Sequence, residues 1–160
     1  MSECCAFYRG KVYFGPSVAT LRHIGNVSRL VLTPVRDTLL PLDAALNASC
    51  CLYIACGIDL TFSCMDYENL AIALGSSYTS AGGTTIHSVG QQCNGMGRLR
   101  FVGENAFGGT ITVDVPKVEL NTTDTINLIS SAIEQISLSG RVILSESAWF
   151  TVTTTAAETC

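Results

Sequence analysis

The chain has 160 residues, of which 48% are hydrophobic and only 14% are charged. This length fits one domain with a core of its own, and so apolar a chain is not expected to be disordered. Nine basic residues against 13 acidic ones give a net charge of −4, and the lysines are Lys11 and Lys117 alone. That balance argues against a surface that binds nucleic-acid phosphates by charge. So few charges also suggest that further copies of the chain or a partner cover much of the surface.

Short apolar runs separated by Gly, Pro and Thr predict a mainly β fold. The first strand is predicted at 11–14, where Gly15-Pro16 ends it, and the second at 24–33, where Pro34 ends it. The segment 34–49 then forms a long, leucine-rich connector. We expect a connector of this length either to dock on a partner or to fold back onto its own core.

The clearest strand covers 53–63, because its side chains alternate in polarity with a period of two. One face carries only apolar residues, namely Ile54, Cys56, Ile58, Leu60 and Phe62. The other face carries the small or polar residues Tyr53, Ala55, Gly57, Asp59, Thr61 and Ser63. This pattern predicts one face toward a core and one toward water or a small-residue contact.

One short helix is predicted at 67–74. Asp66 is a good N-cap, and Met65 with Leu70 fits a hydrophobic staple around it. Gly75 supplies the left-handed stop at the other end. A helix this short does not persist alone, so we expect its apolar stripe to dock on the sheet.

The second half of the chain predicts more strands. A hairpin of 98–104 and 110–119 would place Arg100 across from Asp114, an opposite-charge cross-strand pair. Pro116 lacks a ladder donor, so it predicts an edge or a bulge. Further strands are predicted at 136–144, by the alternation of Ile136, Leu138, Val142 and Leu144 with polar residues, and at the threonine-rich segment 148–154.

Eight cysteines are many for a chain whose first residues show no secretory signal and which we expect to fold in a cytoplasm. Their spacing lacks the C-x-x-C pairs of zinc sites. We expect mostly buried free thiols, with crosslinks after release into an oxidising medium as the alternative and metal binding as the least favoured one. The eight are Cys4, Cys5, Cys50, Cys51, Cys56, Cys64, Cys93 and Cys160.

The sequence contains no pattern that predicts catalysis. His23 and His87 are not followed by a nearby carboxylate, and no single cysteine is set apart as a nucleophile. The glycine pairs around 82–83 and 95–97 lack the strand-to-helix context of a phosphate loop. We therefore predict no catalytic residue, no cofactor-binding residue and no metal ligand, and favour a structural or binding protein over an enzyme.

Several segments together resemble the tail tube proteins of long, non-contractile tailed bacteriophages. Met65–Gly75 (MDYENLAIALG) is similar to the family's strand-to-helix segment, in which an acidic or Ser/Thr cap precedes E-N-L-A-x-A-L. The others, in the order the family shows, are Tyr13–Pro16 (YFGP), Leu21–Val27 (LRHIGNV), Arg98–Asn105 (RLRFVGEN), Val113–Val118 (VDVPKV), Leu128–Ser130 (LIS) and Ile136–Ile143 (ISLSGRVI). The resemblance covers most of residues 8–145.

The resemblance implies an antiparallel β-sandwich or barrel of the tail-tube type with one short α-helix, comprising residues 1–160 as one domain. Copies would form hexameric rings that stack into a tube in the virion tail, after assembly in the host cytoplasm. The partners implied are the tape measure protein and the tail tip and terminator proteins. Genomic DNA would pass through a polar, acidic lumen without specific binding, and no membrane is involved.

The resemblance also suggests which residues would serve the tube. Lumen-facing candidates are Asp59, Thr61, Ser63, Asn26 and Ser28, with Arg29 replacing the last two in another strand register. Ring-stacking candidates in the 34–49 loop are Asp37, Leu39, Leu40, Leu42, Asp43 and Leu46. Residues 151–160 would form a C-terminal arm or simply an end. Two alternatives stay open: a tail terminator or other ring-forming tail component, and, less favoured, a cytoplasmic thiol enzyme.

Overall fold

The structure, a computed structural model, describes residues 7–39, 50–63, 67–89, 95–105, 108–122, 136–145 and 148–155. These residues are mainly in strands, which confirms the predicted fold class. The elements are β1 (Phe7–Gly15), β2 (Arg22–Leu39), β3 (Cys50–Ser63), α1 (Tyr67–Leu74), β4 (Ser77–Ala81), β5 (Thr84–Ser88), β6 (Met96–Asn105), β7 (Thr110–Thr122), β8 (Ile136–Val142) and β9 (Thr151–Thr155).

Six of the strands close into an antiparallel barrel. Their order is β6-β1-β2-β3-β8-β7, and pairing of β7 with β6 completes the circle. Each strand of the barrel therefore has a neighbour on both sides for part of its length. Closure of this kind satisfies the backbone hydrogen bonds that an open sheet would leave exposed at its edges.

The side chains at alternate positions of each strand point inward and form the core of the barrel. The apolar face predicted for β3 is buried at Cys56, Ile58, Leu60 and Phe62, each at most 2% exposed. Ile54 departs from the prediction and is 56% exposed. It lies beyond the part of β3 that β8 covers, at a register shift against β2, so no barrel wall shields it.

Strand β7 pairs with three other strands among the described residues. Along one edge it pairs with β6; along the other, Val118–Thr122 pair with β8 and Thr110–Asp114 pair with β9. Opposite Arg98, β7 carries both Pro116 and Lys117 between the paired positions 115 and 118. This extra residue is a bulge, one of the two roles that the sequence predicts for Pro116.

Strands β2 and β3 project beyond the barrel as a two-stranded arm. Strand β1 pairs with β2 only at residues 22–26, and β8 pairs with β3 only at 57–62, whereas β2 and β3 stay paired out to Leu39 opposite Cys50. The predicted end of the second strand at Pro34 is therefore wrong, because Pro34 pairs with Cys56 in register. A proline is tolerated there because β2 is an edge strand in the arm.

Helix α1 lies at the opposite end of the barrel from the arm and matches the predicted range 67–74. Gly75 ends it with φ of 58°, and its N–H donates to the Ile72 carbonyl while the Ser76 N–H donates to the Ala71 carbonyl. These two bonds form a Schellman motif. Ala71 is buried, and Ile72 packs on the barrel core. Asp66 and Met65 lie outside the described residues.

A hairpin of β4 and β5, at which no strand was predicted, follows the helix. Gly82 and Gly83 connect the two strands with φ of 59° and 79°. Two consecutive positive φ angles are those of a type I′ turn, whose twist matches a two-residue hairpin. The hairpin forms a sheet of its own and is largely exposed.

The last two strands are displaced from their predicted bounds. Strand β8 ends at Val142 rather than 144, and Leu144 is 63% exposed. The chain then turns through a bridge between Ser145 and Ala148 and re-enters the sheet as β9 at Thr151–Thr155. Trp149 and Phe150, predicted as part of the final strand, instead precede it and pack against the core.

Candidate functional site: the outer face of the barrel

The five residues predicted to face a lumen lie on or beside the outer surface of β2 and β3. Asn26 is opposite Ser63, and Arg29 is opposite Thr61. Asp59 and Ser63 alternate with the buried residues of β3 and are exposed. Ser28 sits at the register shift between positions 27 and 29, and its Oγ donates to the Thr61 carbonyl over 3.3 Å.

The same polar surface continues onto β8 and β7. Thr61 Oγ1 and Ser137 Oγ are 3.2 Å apart, and Ser139 lies opposite both Asp59 and Asn121. Short hydroxyl side chains therefore cover the middle of this wall. We call this surface the polar face; it comprises Asn26, Ser28, Arg29, Asp59, Thr61, Ser63, Glu119, Asn121, Ser137, Ser139 and Arg141.

The polar face is electrically balanced. Its two basic residues, Arg29 and Arg141, are matched by Asp59 and Glu119. Arg141 Nε donates to Glu119 Oε2 over 2.7 Å, so this guanidinium is paired with a carboxylate of the same face. Arg29 and Asp59 are diagonal neighbours across β2 and β3. The polar face thus presents neither the acidic character that the resemblance implies for a lumen nor a positive patch.

A second charged group lies on the outer surface of β6 and β7. Asp114 accepts from Arg98 Nε over 3.1 Å and also contacts Arg98 Nη2, while Arg100 Nη2 lies 3.6 Å from Asp114 Oδ2. Arg100 is directly opposite Asp114 in the strand register. Burial alone would raise the pKa of Asp114, but the hydrogen bonds and charges of Arg98 and Arg100 prevail and lower it from its ordinary value of 3.8.

Sequence reasoning missed a polar network at the helix end of the barrel. Asn69 is completely buried; its Nδ2 donates to the Ile24 carbonyl over 2.6 Å, and its Oδ1 accepts from Arg22 Nη2 over 2.9 Å. Arg22 also pairs with Glu68 at 2.5 Å, and Tyr78 donates to the same carboxylate over 3.4 Å. These contacts tie β2, α1 and β4 together. No local pattern predicts them, because the partners are far apart in the chain.

Among the described residues, neither the free thiol of Cys56 nor a group of metal-binding side chains provides a reactive centre. Cys56 is a free, buried thiol, and burial raises its pKa above the ordinary value of 9.0, which opposes the thiolate that a nucleophile needs. In the described ranges, no three His, Cys, Asp or Glu side chains are grouped so that they could hold a metal ion. The same part of the chain contains no helix long and apolar enough to cross a membrane.

Two of the six ring-stacking candidates lie in the described part of the arm. Asp37 and Leu39 lie in β2, where the structure describes the backbone but not their side chains. Leu40, Leu42, Asp43 and Leu46 lie outside the described residues, as does the Leu128–Ser130 segment of the resemblance. Asp37 pairs with Leu52 and Leu39 with Cys50, so these two candidates lie near the end of the arm.

Comparison with known proteins gives little. No family model matches the chain, and no curated protein matches it. Among solved structures, a chain of "Cryo-EM structure of the anti-feeding prophage (AFP) baseplate, 6-fold symmetrised" is 12% identical over 99% of this chain and 99% of that chain, with a TM-score of 0.41. Similarity at this level assigns neither a family nor a function.

Proposed function

We propose that this chain is a non-enzymatic structural component of a bacteriophage tail, and specifically a tail tube protein. Its copies form hexameric rings that stack into a conduit through which the genome leaves the virion. The tape measure protein and the tail tip and terminator proteins are its other partners, and assembly takes place in the host cytoplasm. The quoted segments between residues 13 and 143 supply the resemblance on which the family assignment rests.

The single structural observation that carries this proposal is the contrast between the barrel and its projecting strands. The six barrel strands close on themselves, whereas the arm and β9 extend past the barrel and leave backbone edges open among the described residues. Monomeric proteins usually blunt such edges with lysine or cover them. Here the segments 50–56 and 151–155 contain no charged residue, and the open edge of β2 from 30 to 39 contains no lysine and carries Arg36 and Asp37 near its end. Such weakly charged edges favour pairing with further copies.

The polar face supports the conduit role. Its hydroxyl groups are short, and its arginines are balanced by acids within the same face. Strong retention of DNA comes from basic side chains that neutralise phosphates and release counterions. A wall without surplus positive charge gives a passing duplex few fixed anchors, so the face is suited to line a channel through which DNA slides.

The proposal is tested by the assembly state of the purified protein. Sedimentation velocity and negative-stain microscopy over a concentration series should show long hollow tubes with a 6-fold end view. Isolated single rings that never elongate would contradict the tube role and favour a terminator. A monomer that persists at high concentration would contradict both, and leave a role that needs no self-assembly.

A further inference from the structure

Beyond the end of β8, the barrel splits between β3 and β7, and this split leaves two strand edges open among the described residues. Strand β9 continues the row that β8 vacates after Val142, because both pair with the same edge of β7. Unlike β8, however, β9 makes no ladder with β3 in the described structure. The open edges of Cys50–Cys56 on β3 and Thr151–Thr155 on β9 therefore flank a common gap. We call this pair of edges the seam.

The seam also exposes apolar side chains. Ile54 is 56% exposed and Val152 is 49% exposed, although Val152 lies opposite the buried Val113. A further strand paired along each edge would place side chains beside Ile54 and Val152 and cover part of their surface. Burial of apolar surface stabilises in proportion to its area, so the seam would gain from apolar neighbours.

The β4–β5 hairpin also exposes apolar side chains among its hydroxyl residues, and it lies at the other end of the barrel. Tyr78 on β4 and Met96, the first residue of β6, line the same cleft of about 450 Å³ beside α1. The seam lies instead where β7 begins and the arm leaves the barrel. Ile86 on β5 is 61% exposed and Val89 after it is 58% exposed. A contact between hairpin and seam would therefore join copies head to tail.

The hairpin matches the seam in its lack of charge. The seam contains no Asp, Glu, Lys or Arg, so a charged strand would lose hydration there without gaining an opposite charge. Residues 77–88 also contain none of these four types. The lengths match as well, since β4, β5 and β9 each have five residues.

We propose that the β4–β5 hairpin of one copy pairs with the seam of the next copy, so that each molecule donates a hairpin at one end and accepts one at the other. A head-to-tail contact of this kind repeats without limit unless it closes into a ring. It therefore supplies a stacking contact separate from the arm tip. This inference rests on the proposed self-assembly and names the two surfaces that make it.

Photo-crosslinking tests which surfaces meet. p-Benzoylphenylalanine replaces Ile86 in one preparation and Val18 in a matched control. Val18 is a suitable control because it is 51% exposed and lies two positions before Thr20, which lines the same cleft. Mixed assemblies of isotopically light and heavy chains, irradiated and digested, separate crosslinks between copies from those within one. We expect position 86 to crosslink between copies to 50–56 or 151–155, and position 18 not to reach these segments.

A charge substitution gives a second readout. Ile86→Lys should reduce the assembled fraction about ten-fold at fixed concentration, because it places a charge in an uncharged contact, whereas Val18→Lys should leave that fraction unchanged. Thermal unfolding of both variants should match the wild type, since both sites are exposed.

The outcomes separate this inference from the proposed function. Tubes whose position-86 crosslinks fall on other segments, fall only within one chain or do not form would overturn the hairpin–seam contact and leave the tube role standing. Unimpaired assembly of Ile86→Lys would do the same. A wild-type protein that does not assemble at all would overturn both.

Discussion

At the scale of single residues, two carboxylates of β7 contact arginines of neighbouring strands, and their surroundings differ. Asp114 is held by Arg98 and Arg100, and its side chain is only 16% exposed. Glu119 pairs with Arg141, whose side chain is 72% exposed. Water screens the second pair much more than the first. The first should therefore contribute more to stability, and its contribution should depend on pH.

Asp114→Asn should lower the free energy of unfolding by about 1–3 kcal/mol at pH 7, because it weakens hydrogen bonds to charged partners in a partly buried site. The arginines lower the pKa of Asp114 in the folded state, so its contribution is present above the ordinary value of 3.8 and is lost as pH falls below it. Urea unfolding at pH 7 and pH 2 should show the difference from wild type shrinking in acid. The matched control Glu119→Gln should cost no more than about 1 kcal/mol at pH 7. A difference for Asp114→Asn that is the same at both pH values would contradict the assignment.

Residue-level prediction from the sequence succeeded where the signal was local. The alternation in β3 correctly gave the buried face from Cys56 to Phe62, and Gly75 correctly ended the helix. The burial of Asn69 could not be foreseen, because the carbonyl that it satisfies belongs to Ile24, 45 positions earlier in the chain. The side chain is polar, and its location in the core depends on a contact that exists only after β2 and α1 have packed.

At the scale of elements, the arm is the feature that was predicted least well from the sequence. Pro34 suggested a strand end, but the strand continues because only one of its edges is paired there. The β4–β5 hairpin was missed for a different reason. Its Gly82-Gly83 turn between two five-residue runs is a local hairpin signal that the sequence already contains. The continuation of β2 past Pro34 depends on tertiary pairing, whereas the hairpin is encoded locally.

Shortening the arm tests the ring-stacking role of its tip. Replacing residues 40–49 by Asn-Gly should close the arm with a two-residue type I′ turn, because Leu39 and Cys50 are already paired. The barrel should keep its thermal stability, since the replacement leaves every described residue in place. We expect folded monomers or single rings in sedimentation velocity. Tubes at the wild-type yield would show that 40–49 does not drive stacking.

At the scale of the whole molecule, the closed barrel and the open strands have separate roles. Strands β1, β2, β3, β6, β7 and β8 bury the core within one chain, so a copy can fold before it assembles. The arm, the seam and the β4–β5 hairpin lie at the two ends of that barrel and remain available for contacts between copies. The balanced polar face lies on the barrel wall between them. This division fits a subunit that is stable alone and polymerises end to end.

The most direct test of the proposed conduit is a helical reconstruction of the assembled protein by cryo-electron microscopy. We predict a hollow tube of stacked hexameric rings, with Asp59, Thr61 and Ser63 on the wall of a central channel wide enough for duplex DNA. A solid filament, or a channel lined by the Arg98–Asp114–Arg100 surface with the polar face turned outward, would contradict the account.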